Sequence, residues 1–267
     1  MHVEDLRGAR AWAAGVFVAM LILGVAFGSR AWPLPAQAPI AQPTTSASPT
    51  DGQPSAPVSP VNTHSAQIAE AKSTSIQVSD TEGGPVASAL RAADVLTSPG
   101  KTPLVFLVKQ ITPLGIEVYL PIRPNGSTGW ISSADVTLYS TEYAIDVYLT
   151  DHRLVVSEAG IQLAEYPIAT GRDGLPTPGG VYFLRELLQP PNPNGLYGPY
   201  AYGLSGYSPV LDSFASGDAV IGIHGTNEPD KIGTDVSHGC IRLLNEDVTQ
   251  MVEVWQLPLG APVYIHE

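Results

Sequence analysis

Residues Ala11 to Gly28 form an uncharged apolar stretch of eighteen residues, after which large apolar side chains almost vanish until about Gln67. At about 1.5 Å per residue the stretch would reach ~27 Å as a helix, close to the ~30 Å hydrocarbon core of a bilayer. It therefore predicts a transmembrane signal-anchor over 11–28 behind a short cytoplasmic N-terminus, residues 1–10. Residues 29–67 are rich in Pro, Ala, Ser, Thr and Gln. Such a segment buries too little surface to offset the entropy of ordering it, so it predicts a linker. Its reach is ~120 Å if polyproline-like and roughly 35 Å as a coil.

Beyond the linker the dominant period becomes two. Leu104-Val-Phe-Leu-Val108 is a continuous apolar run, and Ile116, Val118 and Leu120 alternate with Glu117, Tyr119 and Pro121. Pro124-Asn-Gly126 predicts a turn, and Gly129-Trp-Ile131 restarts a strand. Ala87 to Leu96 is read as a short helix. Residues 68–140 are expected to form a small β domain, with a second domain over 142–267. There, Ile145, Val147 and Leu149 predict a strand with one buried face. Leu154 to Ala169, turning through Ser157-Glu-Ala-Gly160, predicts a hairpin, and Gly180 to Leu188 a further strand. Asn192 to Ser208 combines Tyr197, Tyr200, Tyr202 and Tyr207 with several glycines and suggests either a lid or an ordinary strand-and-loop region. One helix is well marked: Asn245 as N-cap, acidic Glu246 and Asp247, then Val248, Met251, Val252 and Trp255 as an apolar stripe. Ala261 to His266 predicts a closing strand. The fold class expected is mainly β.

Composition narrows the function. Thirteen basic residues against twenty-five acidic ones give a formal net charge of −12, which disfavours nucleic acid as a partner. Arg7 and Arg10 before the apolar stretch, against Arg30 after it, place the N-terminus in the cytoplasm and the bulk of the chain outside. Ala36-Gln-Ala38 resembles a cleavage site but lies well beyond the apolar run. The localisation expected is therefore a cell-membrane, single-pass protein whose second domain is extracytoplasmic.

The single cysteine, Cys240, cannot form an internal disulfide. It follows Gly239, and His238 and His224 lie nearby in sequence. A thiol becomes a good nucleophile at neutral pH when a base or positive field activates it, and imidazole suits that task. His224 stands sixteen residues before Cys240, room enough for a loop to return and set the two together. The residues point to a Cys–His acyl-transfer centre with oxyanion donors among the N–H groups of His238, Gly239 and Cys240. A metal site of His224, His238 and Cys240 is the rival, but it lacks paired ligand spacing. No metal or cofactor is expected.

His224-Gly225-Thr226, followed by Ser237-His238-Gly239-Cys240-Ile241-Arg242, resembles the signature of the L,D-transpeptidase catalytic domain of bacterial cell-wall enzymes, the YkuD family. Ile168-Ala-Thr-Gly171 and Pro176-Thr-Pro-Gly-Gly180 resemble its opening segments, and the resemblance covers roughly 142–267. It implies a cysteine nucleophile that forms a thioester with a peptidoglycan tetrapeptide stem and passes it to an acceptor amine, giving a 3→3 cross-link. It further implies His224 as base, oriented by the carbonyl of Gly225, with His238 lining the site and Ser237 ordering its loop. Arg242 stands where part of the family has Asn, and either holds a substrate carboxylate or braces the loop. Carbapenem-type β-lactams are implied as acylating inhibitors. Hydrolysis by the same acyl-enzyme, an L,D-carboxypeptidase, and a non-catalytic wall-binding protein are the alternatives. Separately, Arg123-Pro-Asn-Gly-Ser-Thr-Gly-Trp-Ile131 resembles a bacterial SH3-like β-barrel, with Trp130 more readily a core residue than a ligand contact.

Overall fold

The computed structural model describes residues 65–267 apart from 215 and 216. The expected anchor at 11–28 and nearly all of the linker lie outside the described residues. Among the described residues no helix is long and apolar enough to cross a membrane.

The first sheet has seven strands, all paired antiparallel: β1 (Ala66–Ala71), β2 (Ser75–Ser79), β3 (Val86–Arg91), β4 (Val105–Thr112), β5 (Gly115–Tyr119), β6 (Thr128–Ile131) and β7 (Val136–Thr141). Their order is β3-β2-β6-β5-β4-β1-β7, so β1 enters beside the last strand of its own sheet. Period-two burial builds the core: Ile76 and Val78 on β2, Phe106 on β4, Ile116 and Val118 on β5. The expected helix at 87–96 is corrected here. Val86–Arg91 pairs with β2 as a strand, and only Ala92–Val95 makes a single helical turn, α1. The Ala and Ser residues of this segment carry no helical apolar stripe. Ala92, Val95 and Leu96 supply the buried contacts instead.

The second sheet contains β8 (Tyr143–Tyr148), β9 (Arg153–Glu158), β10 (Ile161–Pro167), β12 (Gly180–Leu188), β13 (Ala201–Tyr207), β14 (Val220–His224), β16 (Ile241–Arg242) and β17 (Pro262–His266). A short pair, β11 (Thr170–Gly171) with β15 (Asp235–Ser237), lies outside it. The order is β10-β9-β8-β17-β12-β13-β14-β16, with β17 parallel to β8 and β14 parallel to β16. The β9–β10 hairpin turns through Ala159 and Gly160, both at positive φ. Helix α2 (Asn245–Glu253) places Val248 and Met251 in the main core, with Val252 and Trp255 packed against it. The Tyr/Gly-rich segment divides: Ala201–Tyr207 is interior strand β13 with Tyr202 and Tyr207 buried, while 192–200 and Ser208 lie outside the strand.

Strand β12 is buried on both faces, which departs from simple alternation. Tyr182 and Leu184 join the main core, while Phe183 packs with Ile68, Val105 and Leu107 of the first sheet. Polar contacts continue this junction. Glu186, on β12, accepts hydrogen bonds from the Thr97 N–H at 2.8 Å and from the Thr97 hydroxyl at 3.1 Å.

Candidate active site

The parallel pairing of β14 with β16 sets His224 opposite Arg242 and Ile223 opposite Ile241. Cys240 immediately precedes β16 and so falls alongside Gly222. The Gly222 N–H donates to the Cys240 sulfur, and the sulfur lies 3.9 Å from the Val220 carbonyl oxygen. A Cβ built on Gly222 would sit 3.9 Å from Cδ2 of His224, so the imidazole lies beside the same strand position that Cys240 falls alongside. Both line a cavity of about 90 Å³ together with Tyr197, Phe214, His238 and Arg242. A larger cleft, about 510 Å³, opens from the same two residues towards Val95 and Thr97 at the end of α1.

His224 is almost fully buried, and its Nδ1 lies 2.6 Å from the Gly225 carbonyl oxygen. A carbonyl only accepts, so Nδ1 carries the proton and donates it, and Nε2 is left with a free lone pair. Burial pushes the His224 pKa down to about 4, outweighing the Gly225 hydrogen bond, and the charge of Arg242 lowers it further. The partly exposed thiol of Cys240 is pushed up by desolvation, against smaller lowering effects from the Gly222 N–H and Arg242. The pair therefore rests as neutral imidazole and neutral thiol.

The turn before the thiol is fixed by Ser237. Its hydroxyl donates to the Cys240 carbonyl at 2.6 Å and accepts the Gly239 N–H at 3.0 Å. This corrects one expectation: the Gly239 amide is spent inside the turn, leaving the N–H groups of His238 and Cys240 as candidate oxyanion donors. Gly239 has φ +116°, and a Cβ there would lie 2.9 Å from Cδ1 of Ile221. Gly239→Ala is expected to lower unfolding free energy by about 1–3 kcal/mol, read from denaturant curves.

His238 accepts from Arg172 at 3.2 Å and sits tilted against the Phe214 ring at 5.0 Å between centroids. Its pKa is lowered by desolvation first, then by Arg172 and Arg242. Arg242 donates to Glu228 at 2.8 Å and exchanges backbone hydrogen bonds with Ala169, so it braces the loop while its side chain lines the cavity. Asn245 is not a side-chain N-cap. Leu244 takes that position, and the Asn245 side-chain amide oxygen accepts the Thr226 N–H at 2.8 Å, tying the His224–Thr226 strand end to α2. Tyr197, Arg172 and Phe214 escaped the sequence reading as site residues. Tyr197 meets the His224 ring edge-on at 4.9 Å. Its place in a Tyr/Gly-rich segment, and Arg172's place directly after Gly171, were the available signals. Among the described residues no group of three or more His, Cys, Asp or Glu side chains forms a metal site.

A family model for the L,D-transpeptidase catalytic domain, YkuD, matches residues 142–265. The YkuD protein of Bacillus subtilis (strain 168) is 34% identical over 128 residues, which cover 48% of this chain and 68% of that protein. The chain belongs to the YkuD L,D-transpeptidase catalytic-domain family. The Bacillus licheniformis YkuD protein is 36% identical over 123 residues, covering 46% of this chain and 65% of the relative. Both relatives are named provisionally as L,D-transpeptidases. The chain thus spans about two thirds of the length of these family members. Among solved structures, Bdellovibrio bacteriovorus Bd1075 is 28% identical with a TM-score of 0.37, covering 46% of this chain and 47% of that one. L,D-transpeptidase 3 of Mycobacterium tuberculosis, in complex with a faropenem-derived adduct, is 16% identical with a TM-score of 0.40, covering 60% and 98%. The family's matched span holds every residue of the Cys240 cavity, from Leu196 to Arg242.

Proposed function

We propose that the chain is a membrane-tethered peptidoglycan L,D-transpeptidase with Cys240 as nucleophile and His224 as base, its catalytic domain facing the cell wall. The observation that carries this reading is a buried imidazole whose Nδ1 is committed to the Gly225 carbonyl, lining one cavity with the only thiol in the chain. Nε2 of His224 takes the thiol proton as sulfur attacks the carbonyl of the third residue of a tetrapeptide stem. The bond to the terminal D-alanine breaks, and that amine leaves with the proton returned from His224. An acceptor amine on a neighbouring stem then attacks the thioester, gives its proton to His224, and forms the 3→3 amide as the thiol is regenerated. The N–H groups of His238 and Cys240 stabilise the oxyanion in each step. His238 and Arg242 on the cavity wall favour a carboxylate-bearing donor. Carbapenem-type β-lactams acylate the same sulfur, by analogy with the family. The small β domain, SH3-like in its Arg123–Ile131 segment, sits between this catalytic domain and the membrane tether in sequence.

The purified full chain incubated with a disaccharide-tetrapeptide, beside a Cys240→Ala control, tests the reading by mass spectrometry. A cross-linked dimer lacking one terminal D-alanine, absent from the control, is the expected product. Release of D-alanine without dimer would make the chain an L,D-carboxypeptidase. Intact substrate and unmodified Cys240 would leave a wall-binding protein.

A further inference from the structure

The loop joining β13 to β14, from Ser208 to Ala219, supplies Leu211 and Phe214 to the cavity around Cys240. Its base is closed by the Ser208 N–H donating to the Ala219 carbonyl at 2.8 Å. Phe214 and Gly217 exchange two backbone hydrogen bonds at 2.8 and 2.9 Å. The Ser208 hydroxyl oxygen accepts the Leu211 N–H at 3.1 Å. Three carbonyl groups of this loop are met by a single side chain from the other domain. Arg123 donates from one terminal nitrogen to Ser208 at 2.6 Å, and from the other to Leu211 at 2.9 Å and Asp218 at 3.1 Å.

A guanidinium is suited to this because its donors are fixed in one planar fork, whereas a lysine ammonium is a point charge on a flexible stem. The same guanidinium lies 4.9 Å from the centroid of the Tyr207 ring, at the end of β13. Asn125, two residues on, exchanges hydrogen bonds with the Tyr207 backbone at 2.8 and 2.9 Å. The small domain thus grips the strand end and the loop together. The loop's Phe214 is in turn the residue against which the His238 ring rests.

We propose that Arg123 is a positioning residue for the Cys240 site: by holding the Ser208, Leu211 and Asp218 carbonyls it fixes Leu211 and Phe214 as one wall of the cavity. The small β domain thereby sets the size of group that reaches the thiol. Only the substrate arm of the test rests on the transpeptidase reading.

Cys240 is the only cysteine, so label incorporation in the full chain reports on it alone. Wild type, Arg123→Ala and Arg123→Lys are each alkylated with iodoacetamide and, separately, with fluorescein-5-maleimide, and followed by intact mass. In Arg123→Ala the bulky-to-small rate ratio is expected to rise about fivefold or more, with the iodoacetamide rate within about twofold of wild type. Arg123→Lys falls between the two. An unchanged ratio, or an equal rise with both reagents, overturns the proposal. If Arg123→Ala loses its cooperative thermal transition, Arg123→Lys decides, and a ratio equal to wild type overturns it. With tetrapeptide as substrate, Arg123→Ala is expected to raise KM more than it lowers kcat. A wild type that leaves tetrapeptide untouched would sink the transpeptidase reading, while the reagent ratio would still decide the role of Arg123.

Discussion

Exchanging His224 for glutamine is expected to slow acylation of Cys240 by about 10²–10⁴-fold, the range for removal of a general base. Glutamine keeps an amide N–H that can donate to the Gly225 carbonyl but offers no basic nitrogen. Cys240→Ala is the limiting case, with no acyl-enzyme at all. The pH dependence separates this mechanism from one with a preformed ion pair. Burial holds the His224 pKa down to about 4 and pushes that of the Cys240 thiol up, so the proton stays on sulfur in the resting site. Iodoacetamide alkylation of the wild type should therefore climb about tenfold per pH unit between pH 6 and 8, as thiolate becomes available. A plateau reached by pH 6 would contradict a neutral pair. Stability carries the same signature. Because the folded-state pKa of His224 lies below its ordinary value near 6.5, the unfolded chain binds the additional proton between pH 6.5 and 4. Folding stability must then fall as pH drops through that window, by roughly 3 kcal/mol in total, and His224→Gln should remove this component. Urea unfolding of both proteins at pH 7 and pH 4.5 measures it.

The candidate site around Cys240 was legible in the sequence because the turn that carries it is local. A lone cysteine beside glycine, with histidines near it in sequence, directs attention to one short segment, and Ser237 to Cys240 close their turn there through short-range hydrogen bonds. Strands with one buried face were legible for a similar reason: Ile145 and Val147 alternate with half-exposed neighbours, and β8 forms where they predict it. Failures came where distant partners decide. Asn245 reads as an N-cap, yet its side chain reaches Thr226, nineteen positions away. Residues 87–91 carry no strong preference and become a strand through pairing with β2. Arg123 lies between β5 and β6 of the first sheet and donates to the loop between β13 and β14 of the second, a contact spanning eighty-five positions to Ser208 that no local pattern reports. Adjacent charges at Arg185 and Glu186 also break the apolar rhythm of β12, and only the fold explains why both are buried.

Glu186→Ala is expected to destabilise the protein by about 3–5 kcal/mol, because it would leave the guanidinium of Arg185 buried without its counter-charge. The two side chains are 3% and 2% exposed, and their nitrogen and oxygen lie 2.8 Å apart. Arg185 has little else to hold its charge. Beyond that it makes a 3.3 Å hydrogen bond to the Tyr207 hydroxyl oxygen and lies 5.9 Å from the centroid of the same ring, while its Nε has no hydrogen-bond partner. Glu186, by contrast, is fully used, since it also accepts from both the backbone and the hydroxyl of Thr97. The order of severity follows. Removing the carboxylate strands a charge, whereas replacing both residues by methionine removes the charge and its counter-charge together, which for buried pairs is often neutral or stabilising. The Thr97 N–H would lose its acceptor in either variant, but Thr97 is exposed and water can take that place. The double replacement is therefore expected to recover most of the loss, and denaturant unfolding of the single and double variants tests the prediction. A double variant as unstable as Glu186→Ala would mean that the link from Glu186 to Thr97, and not the charge balance of β12, carries the stabilisation.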